Sequence, residues 1–223
     1  MAFQPIPLHE LLLLSLFNNE YVVSKILNET RPQKIHAFMP VTRLFQRMFD
    51  LTGYQHQHNT RPDCVRNVLE SSPVALIAWI YDKYVEWSDQ KWCKFSEQQQ
   101  DTYCSPKGTN NLTNQLVWDD VITTACLYFL NHRVRSGIDY YHKNLGMAYG
   151  HFLRTKTPST IFFAISEFEK DPFAAVNVHK YLSHLYTNLV YYRPHPFGGH
   201  FPGFEHPRVL AKDIADFLTI IDV

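Results

Sequence analysis

The residues best suited to chemistry lie near the end of this chain, where a histidine follows two glycines in Gly-Gly-His-Phe at 198–201. Glycines permit positive φ and close backbone approach. From Pro207 an apolar repeat to Ile221 predicts an amphipathic helix with proline in its first turn. His200 is thus predicted in a loop before a packed helix, where catalytic groups concentrate. Imidazole suits proton transfer near neutral pH, although a histidine that only completes a turn is the structural alternative.

The segments before this loop predict the edge of a parallel sheet. Residues 159–168 form a short apolar, β-rich run typical of a buried strand, and 188–192 form a second strand. Between them, roughly 174–184 read as helix. Strand, helix, strand, loop and helix make a parallel βαβα edge. Carboxyl strand ends share one rim of such a sheet, which predicts the 167–171 loop and His200 on the same rim.

The first part of the chain is predicted to be mainly helical. Apolar spacing predicts helices over 8–28, over 40–52 with Gly53 just past the end, and over much of 63–86. Residues 88–115 are polar and predict a surface loop. The leucines at 11–14 lie in an apolar run too short to span a bilayer. No basic region precedes them, so they predict a helix that buries one face rather than a signal peptide.

Composition narrows the class of protein. The 223 residues are 45% hydrophobic, enough for one domain with a substantial core. Lys and Arg together number 21, as do Asp and Glu, so no basic excess argues for nucleic acid or an anionic membrane. The four cysteines (Cys64, Cys93, Cys104 and Cys126) show no CxxC spacing. They predict free thiols rather than a disulfide framework.

Three motifs together resemble α/β-hydrolase-fold epoxide hydrolases, in particular the microsomal and juvenile-hormone branch. Gly-Gly-His-Phe-x-x-Phe-Glu-x-Pro at 198–207 and Leu-Ala-x-Asp-Ile-x-x-Phe-Leu at 210–218 resemble the end of those enzymes. Ser-Pro-Val-x-Leu-x-Ala-Trp-Ile-x-x-Lys-Tyr-x-x-Trp at 72–87 resembles a lid helix, with Ala75 and Asp82 as departures. The resemblance implies an α/β-hydrolase fragment: a mostly helical lid region at 1–157 and the carboxyl-terminal βαβα edge of the core sheet at 158–223.

The resemblance also implies a histidine–acid pair. In that family the motif histidine activates water, which places this role on His200. An acidic partner fixes the tautomer and stabilises the imidazolium. The family's Ser-x-Phe-x-x-Glu is matched by Ser-x-Phe-x-x-Asp at 166–171, which favours Asp171. Glu167 and Glu169 remain rivals for the same role.

Two lid tyrosines hydrogen-bond the epoxide oxygen in the family. The Gly-Tyr at 53–54, followed by Arg-Pro-Asp at 61–63, places one of them at Tyr54. Tyr-Tyr-His-Lys-Asn-Leu-Gly at 140–146 places the other at Tyr141. Aromatic residues that pack at a helix end are the structural alternative, since a buried tyrosine needs a hydrogen-bonding partner anyway.

The nucleophile of the family is absent from this sequence. The attacking aspartate lies in Gly-Gly-x-Asp-x-Gly, and a His-Gly-x-Pro segment helps to form the oxyanion hole. Neither motif occurs here, nor does Gly-x-Ser-x-Gly. The chain therefore resembles only the second half of such an enzyme. It is predicted to be inactive alone, as a truncated product, an incomplete gene model or half of a split enzyme.

Two functions follow from this resemblance. One is hydrolysis of lipophilic epoxides to vicinal diols without a cofactor, in detoxification or juvenile hormone metabolism. The other is a non-catalytic remnant that binds an apolar ligand or a partner, such as a full-length relative or a missing amino-terminal half. The family implies the endoplasmic reticulum, whereas the lack of an anchor favours the cytoplasm. Metal binding ranks last because no ligand spacing connects His56, His58, His195, His200 and His206.

Overall fold

The computed structural model describes residues 8–16, 19–89, 115–144, 160–174 and 179–222. Helices dominate the first part of the chain, and two strands follow near its end. In chain order the elements are α1 (Leu8–Leu16), α2 (Glu20–Leu27), α3 (Pro32–Ala37), α4 (Val41–Thr60), α5 (Pro62–Ser71), α6 (Pro73–Trp87), α7 (Gln115–Leu130), α8 (Val134–Asn144), β1 (Phe163–Phe168), α9 (His179–Leu185), β2 (Leu189–His195), α10 (Pro202–Glu205) and α11 (Pro207–Ile220).

The predicted single helix over 8–28 is wrong, because α1 and α2 are separate helices. The side chain of Asn19 accepts a hydrogen bond from the backbone N–H of Val22 at 3.2 Å and so begins α2. Asparagine at this position satisfies an N–H group that has no partner inside the helix. Leu14 of α1 is buried while Leu13 and Leu16 are exposed, so α1 buries one face as predicted.

The predicted end of a helix at Gly53 is also wrong, because α4 continues through this glycine to Thr60. The buried residues Leu51, Thr52 and His58 lie on both sides of Gly53, and their packing holds the helix together across it. An isolated glycine inside a helix costs about 1 kcal/mol relative to alanine, which tertiary packing exceeds. Tyr54 is therefore on a helix and not in a loop.

The predicted pair of parallel strands is confirmed. β1 pairs with β2 in parallel, with Phe168 opposite His195 at the carboxyl ends. The prediction that β1 is buried is wrong for most of its length, since only Glu167 and Phe168 are buried. Among the described residues, β2 is the one strand that pairs with β1, so no described strand pairs with the other edge of β1. Residues 161 and 162, just before β1, are about half exposed.

The helices of the first part of the chain form two hydrophobic cores. One contains side chains of α1 to α4 with Tyr181, and the other contains side chains of α5 to α8. The end of α6 joins them to the rest of the molecule, because Trp87 packs with Leu51, Phe173 and Phe201. The segment with His200 thus meets the helical region at the end of α6.

The structure describes only part of what the sequence predicted for the cysteines, the polar loop and the domain boundary. Cys64 and Cys126 are free and exposed, while Cys93 and Cys104 lie outside the described ranges. Most of the predicted 88–115 loop and the proposed boundary between 157 and 158 also lie outside them.

Among the described helices none is long and apolar enough to cross a membrane.

A buried ionic cluster attaches α3 to the end of β1. Glu167 is 4% exposed, and its carboxylate accepts hydrogen bonds from Arg31 at 2.8 Å and from Lys34 at 2.7 Å. The hydroxyl of Tyr192 on β2 donates to the same carboxylate at 3.0 Å. Glu167, one of the two rivals for the catalytic acid, is thereby occupied in a structural contact.

Replacing Glu167 by alanine is expected to destabilise the fold by about 3–5 kcal/mol, because it removes the carboxylate that two cations share in a buried site. Urea denaturation measures this loss. The matched control is Glu169→Ala, whose carboxylate pairs with the exposed Lys170 and is expected to cost at most about 1 kcal/mol. Equal losses in the two variants would contradict a structural role for Glu167.

Candidate active site

The two glycines before His200 let this loop lie against the end of α6. Gly198 has a φ of 78°, a backbone conformation that residues other than glycine rarely adopt. A Cβ atom on Gly199 would lie 2.5 Å from both the backbone nitrogen of Asp89 and the carbonyl oxygen of Trp87. The backbone N–H of His200 donates to that same carbonyl at 2.8 Å. Only glycine at 199 therefore permits the contact that positions His200.

The carboxylate of Glu205 holds the loop in this position. Glu205 is 5% exposed, and its Oε2 accepts the backbone N–H groups of Gly199 at 2.8 Å and of Asp89 at 2.9 Å. Its Oε1 accepts the N–H of Phe201 at 3.0 Å. One carboxylate thus fixes both neighbours of His200 and the end of α6. Glu205 was not predicted as a site residue, and its one signal was the Phe-Glu-x-Pro of the motif.

His200 and Asp171 lie together at the rim formed by the strand ends. Nδ1 of His200 is 3.1 Å from Oδ2 of Asp171, while Oδ1 of Asp171 accepts the backbone N–H of Phe173 at 2.9 Å. A carboxylate only accepts, so this contact assigns the proton to Nδ1 and leaves Nε2 as the acceptor. Across the rim, the backbone N–H of Glu169 donates to the carbonyl of His195 at the end of β2, and the N–H of Lys170 donates to that of Gly198. Glu169 itself pairs with its neighbour, so Asp171 is the acid beside the histidine.

Aromatic rings surround the imidazole of His200. Its ring centre lies 4.9 Å from that of Trp87, 5.2 Å from Phe201 and 5.6 Å from Phe173. The side chain keeps 23% of its surface exposed. His200 is thus held on several sides while one part of the ring stays open.

A cavity of about 620 Å³ lies next to this histidine, among helices α4 to α8. His200 does not line the cavity, but Trp87 and Phe201, which both contact its ring, do. Tyr54 and Tyr141 line it from α4 and α8. Most of the other lining side chains are aliphatic or aromatic, which suits an apolar ligand.

The two tyrosines predicted from the motifs contact each other. Their ring centres are 5.5 Å apart in an edge-on arrangement, and the hydroxyl of Tyr54 accepts a hydrogen bond from Gln55 at 2.8 Å. Burial raises the pKa of Tyr141, and the nearby Tyr54 adds to this effect. The Tyr141 hydroxyl therefore keeps its proton near neutral pH and is available as a donor. The ammonium group of Lys83 lies 5.2 Å from the ring centre of Tyr54.

His58 is a buried member of the same cavity wall. It lies one helical turn after Tyr54, it is 6% exposed, and it contacts the rings of Tyr54, Trp79 and Tyr141. Burial lowers the pKa of His58 to about 4, and the charge of Lys83 contributes. The sequence pattern suggested only a weak metal ligand here. A polar residue four positions after a pocket tyrosine on a helix was the available signal.

The described residues provide no group of three or more His, Cys, Asp or Glu side chains that could hold a metal ion. His56 and His58 are two positions apart on α4, so they do not face each other. His56 is exposed and stacks on Phe49, whereas His58 is buried in the cavity wall.

Comparisons with known proteins place this site in context. No protein-family model matches the chain. The chain is 27% identical to epoxide hydrolase 1 of Sus scrofa over 192 residues, which is 84% of this chain and 38% of the relative. It is 22% identical to juvenile hormone epoxide hydrolase 2 of Ctenocephalides felis over 182 residues, 82% of this chain and 36% of the relative. The chain thus spans less than two fifths of these relatives.

Solved structures agree with the sequence comparison. The epoxide hydrolase of Aspergillus niger superposes with a TM-score of 0.57 at 26% identity, over 85% of this chain and 40% of that one. The juvenile hormone epoxide hydrolase of Bombyx mori superposes with a TM-score of 0.74 at 20% identity, over 98% of this chain and 47% of that one.

The solved structures identify the fold of the chain, and the sequence comparison identifies its homologues. The fold is that of part of an α/β hydrolase, mostly helical with a small parallel sheet, so the predicted fold class is confirmed. The homologues are epoxide hydrolases, among them a mammalian epoxide hydrolase 1 and juvenile hormone epoxide hydrolases, so the resemblance seen in the motifs is confirmed.

Replacing Gly199 by alanine is expected to destabilise the protein by about 3 kcal/mol or more, because the new Cβ overlaps backbone atoms that cannot move aside. Gly203→Ala is the matched control, since a Cβ there meets nothing within 4 Å. In helix α10 it is expected to be neutral or stabilising by up to about 1 kcal/mol. Thermal unfolding of both variants measures the difference, and similar behaviour of the two would contradict the close approach.

The His58 imidazole is expected to make stability depend on pH. Its folded-state pKa of about 4 lies below the ordinary value near 6.5, so the unfolded chain binds the proton first as the pH falls. The free energy of unfolding is therefore expected to be highest above about pH 6.5, where the imidazole is neutral in both states. It is expected to fall by roughly 3 kcal/mol as the pH drops to 4. The difference in urea stability between wild type and His58→Phe, measured from pH 7 to 4, tests this. A difference that does not change with pH would contradict it.

Proposed function

We propose that this chain supplies the water-activating and oxygen-binding groups of an epoxide hydrolase that converts a lipophilic epoxide to a vicinal diol. The observation that supports this most directly is the contact of 3.1 Å between His200 Nδ1 and Asp171 Oδ2. Asp171 is oriented by a backbone N–H, and His200 is oriented by a backbone contact to α6. A histidine held in this manner has its Nε2 ready to accept a proton from water.

In this proposal Asp171 stabilises the imidazolium that forms when His200 takes the proton. The pair resembles the His–Asp part of hydrolytic triads, where the carboxylate fixes the tautomer and stays ionised. The aromatic rings of Trp87, Phe173 and Phe201 limit the positions the imidazole can take. Preorganisation of this kind lowers the cost of orienting the base during the reaction.

Tyr54 and Tyr141 would donate hydrogen bonds to the epoxide oxygen. Negative charge develops on this oxygen as its bond to carbon breaks, and donors aimed at it stabilise the transition state. The edge-on contact of the two rings brings both phenols to one part of the cavity wall. The volume of about 620 Å³ is in the usual range for small-molecule sites.

The carboxylate nucleophile would come from residues outside these 223. Its attack on an epoxide carbon would form an ester bond and break the bond from that carbon to the ring oxygen, and Tyr54 or Tyr141 would give this oxygen a proton. His200 would then take a proton from water, and the hydroxide would attack the ester carbonyl, which releases the diol and regenerates the carboxylate. The proton on His200 would return to the tyrosinate and complete the cycle. We propose an amino-terminal half as the source of this carboxylate, with 1–157 as lid and 158–223 as part of the core.

A second candidate function is non-catalytic binding of an apolar ligand. Side chains of the described residues line the cavity, from α4 to α8 together with Phe201 and Phe204. A ligand could therefore bind without the nucleophile half, which favours this candidate for the 223 residues by themselves.

The test is hydrolysis of a lipophilic epoxide by the 223-residue chain alone and by a chimera that carries the amino-terminal half of a relative before it. We expect background rates from the chain alone and turnover from the chimera. His200→Ala in the chimera is expected to lower turnover by about 100-fold or more, the usual contribution of a general base. Tyr54→Phe and Tyr141→Phe are each expected to lower kcat by about tenfold or more.

The control is His184→Ala, which changes an exposed histidine on α9 and is expected to leave turnover unchanged. Full turnover in the His200→Ala chimera would contradict the assigned role of His200. Tight binding of the epoxide without hydrolysis by either protein would favour the second candidate function.

A further inference from the structure

Both ring nitrogens of His58 are buried within the cavity wall, and no described residue forms a hydrogen bond with either of them. The residue is 6% exposed. Leaving a buried polar group unpaired costs about 1–3 kcal/mol. Such groups in native proteins call for a specific explanation.

The surroundings of His58 indicate a ligand as that explanation. Its ring stacks on Trp79 with centres 5.6 Å apart, and the rings of Tyr54 and Tyr141 lie edge-on to it at 5.6 and 5.0 Å. His58 and both tyrosines line the same cavity. A molecule held by the two tyrosine hydroxyls would therefore lie beside the imidazole.

The imidazole is neutral at physiological pH, because burial and the nearby charge of Lys83 lower the pKa of His58 to about 4. Neutral imidazole has one N–H donor and one acceptor nitrogen. Such a group suits an uncharged oxygen and offers little to an anion. Beyond His58, Lys83 and the tyrosine hydroxyls, few polar groups line the cavity, so the contact would select among otherwise apolar molecules.

We propose that His58 determines specificity by binding a second oxygen of the substrate. The substrate class is lipophilic epoxides that carry an ether, ester or hydroxyl oxygen a few bonds from the epoxide ring. This inference rests on the proposed function of the cavity as the epoxide site. The tyrosines would hold the epoxide oxygen, and the N–H of His58 would donate to the second oxygen. Both nitrogens of His58 are covered in the empty cavity, so this contact requires the neighbouring aromatic rings to shift when the substrate binds.

The test compares two probes that differ in one atom: hexyl glycidyl ether and terminal epoxydecane, which has CH₂ in place of the ether oxygen. Binding to the full chain is followed by tryptophan fluorescence, since Trp79 and Trp87 line the cavity. Binding needs no nucleophile, so the result does not depend on turnover. Wild type is expected to bind hexyl glycidyl ether more tightly than epoxydecane.

His58→Phe keeps an aromatic ring and removes both nitrogens. It is expected to weaken binding of the ether about tenfold, which corresponds to about 1.4 kcal/mol, and to leave epoxydecane bound as well or better. His58→Gln, which keeps an N–H donor, is expected to retain part of the preference. His56→Phe is the matched control on the same helix, because His56 is exposed and outside the cavity lining.

Three results would overturn the proposal. Equal affinity of wild type for the two probes would reject His58 as a specificity residue and leave the epoxide site in place. An equal loss of both probes in His58→Phe would mean a packing role only. Failure of wild type to bind either probe would reject the cavity as the epoxide site and the proposal with it. A cooperative thermal unfolding transition of His58→Phe verifies that the variant folds.

Discussion

The position of His200 depends on one buried carboxylate. Glu205 accepts backbone N–H groups from Gly199, Phe201 and Asp89, so both flanks of the histidine and the end of α6 share one anchor. Hydrogen bonds to a charged acceptor are stronger than neutral ones, and here they lie in a buried site. The loop and the end of α6 are joined at this point, next to the candidate pair of His200 and Asp171.

A second buried carboxylate joins the sheet to the helices at the start of the chain. Glu167 joins α3 to the carboxyl end of β1 through Arg31 and Lys34. Four residues later Asp171 turns toward His200. Two acids close together in sequence thus have different uses, because one is buried among cations and the other lies beside an imidazole at the open rim.

Much of the fold could be predicted from local patterns. Apolar spacing indicated the helices, and two short β-rich runs with a helix between them indicated the parallel pair that the structure contains. Errors arose where packing outweighs local preference. Gly53 was expected to end a helix, but buried side chains on both sides carry α4 on to Thr60. That extension places Tyr54 and His58 one turn apart, a relation that a loop would not have given them.

The motifs by themselves determined the likeness to epoxide hydrolases and the candidates His200, Tyr54 and Tyr141, because a linear pattern preserves residue type and order. For the acid they favoured Asp171 but left Glu167 and Glu169 as rivals. Tertiary structure alone decided which acid faces the histidine, since Glu167 and Asp171 differ in their surroundings and not in their chemistry. It also decided that Glu205 anchors the loop and that His58 is buried without a partner. Both facts depend on segments far apart in the chain that meet only after folding, and no local pattern records such a meeting.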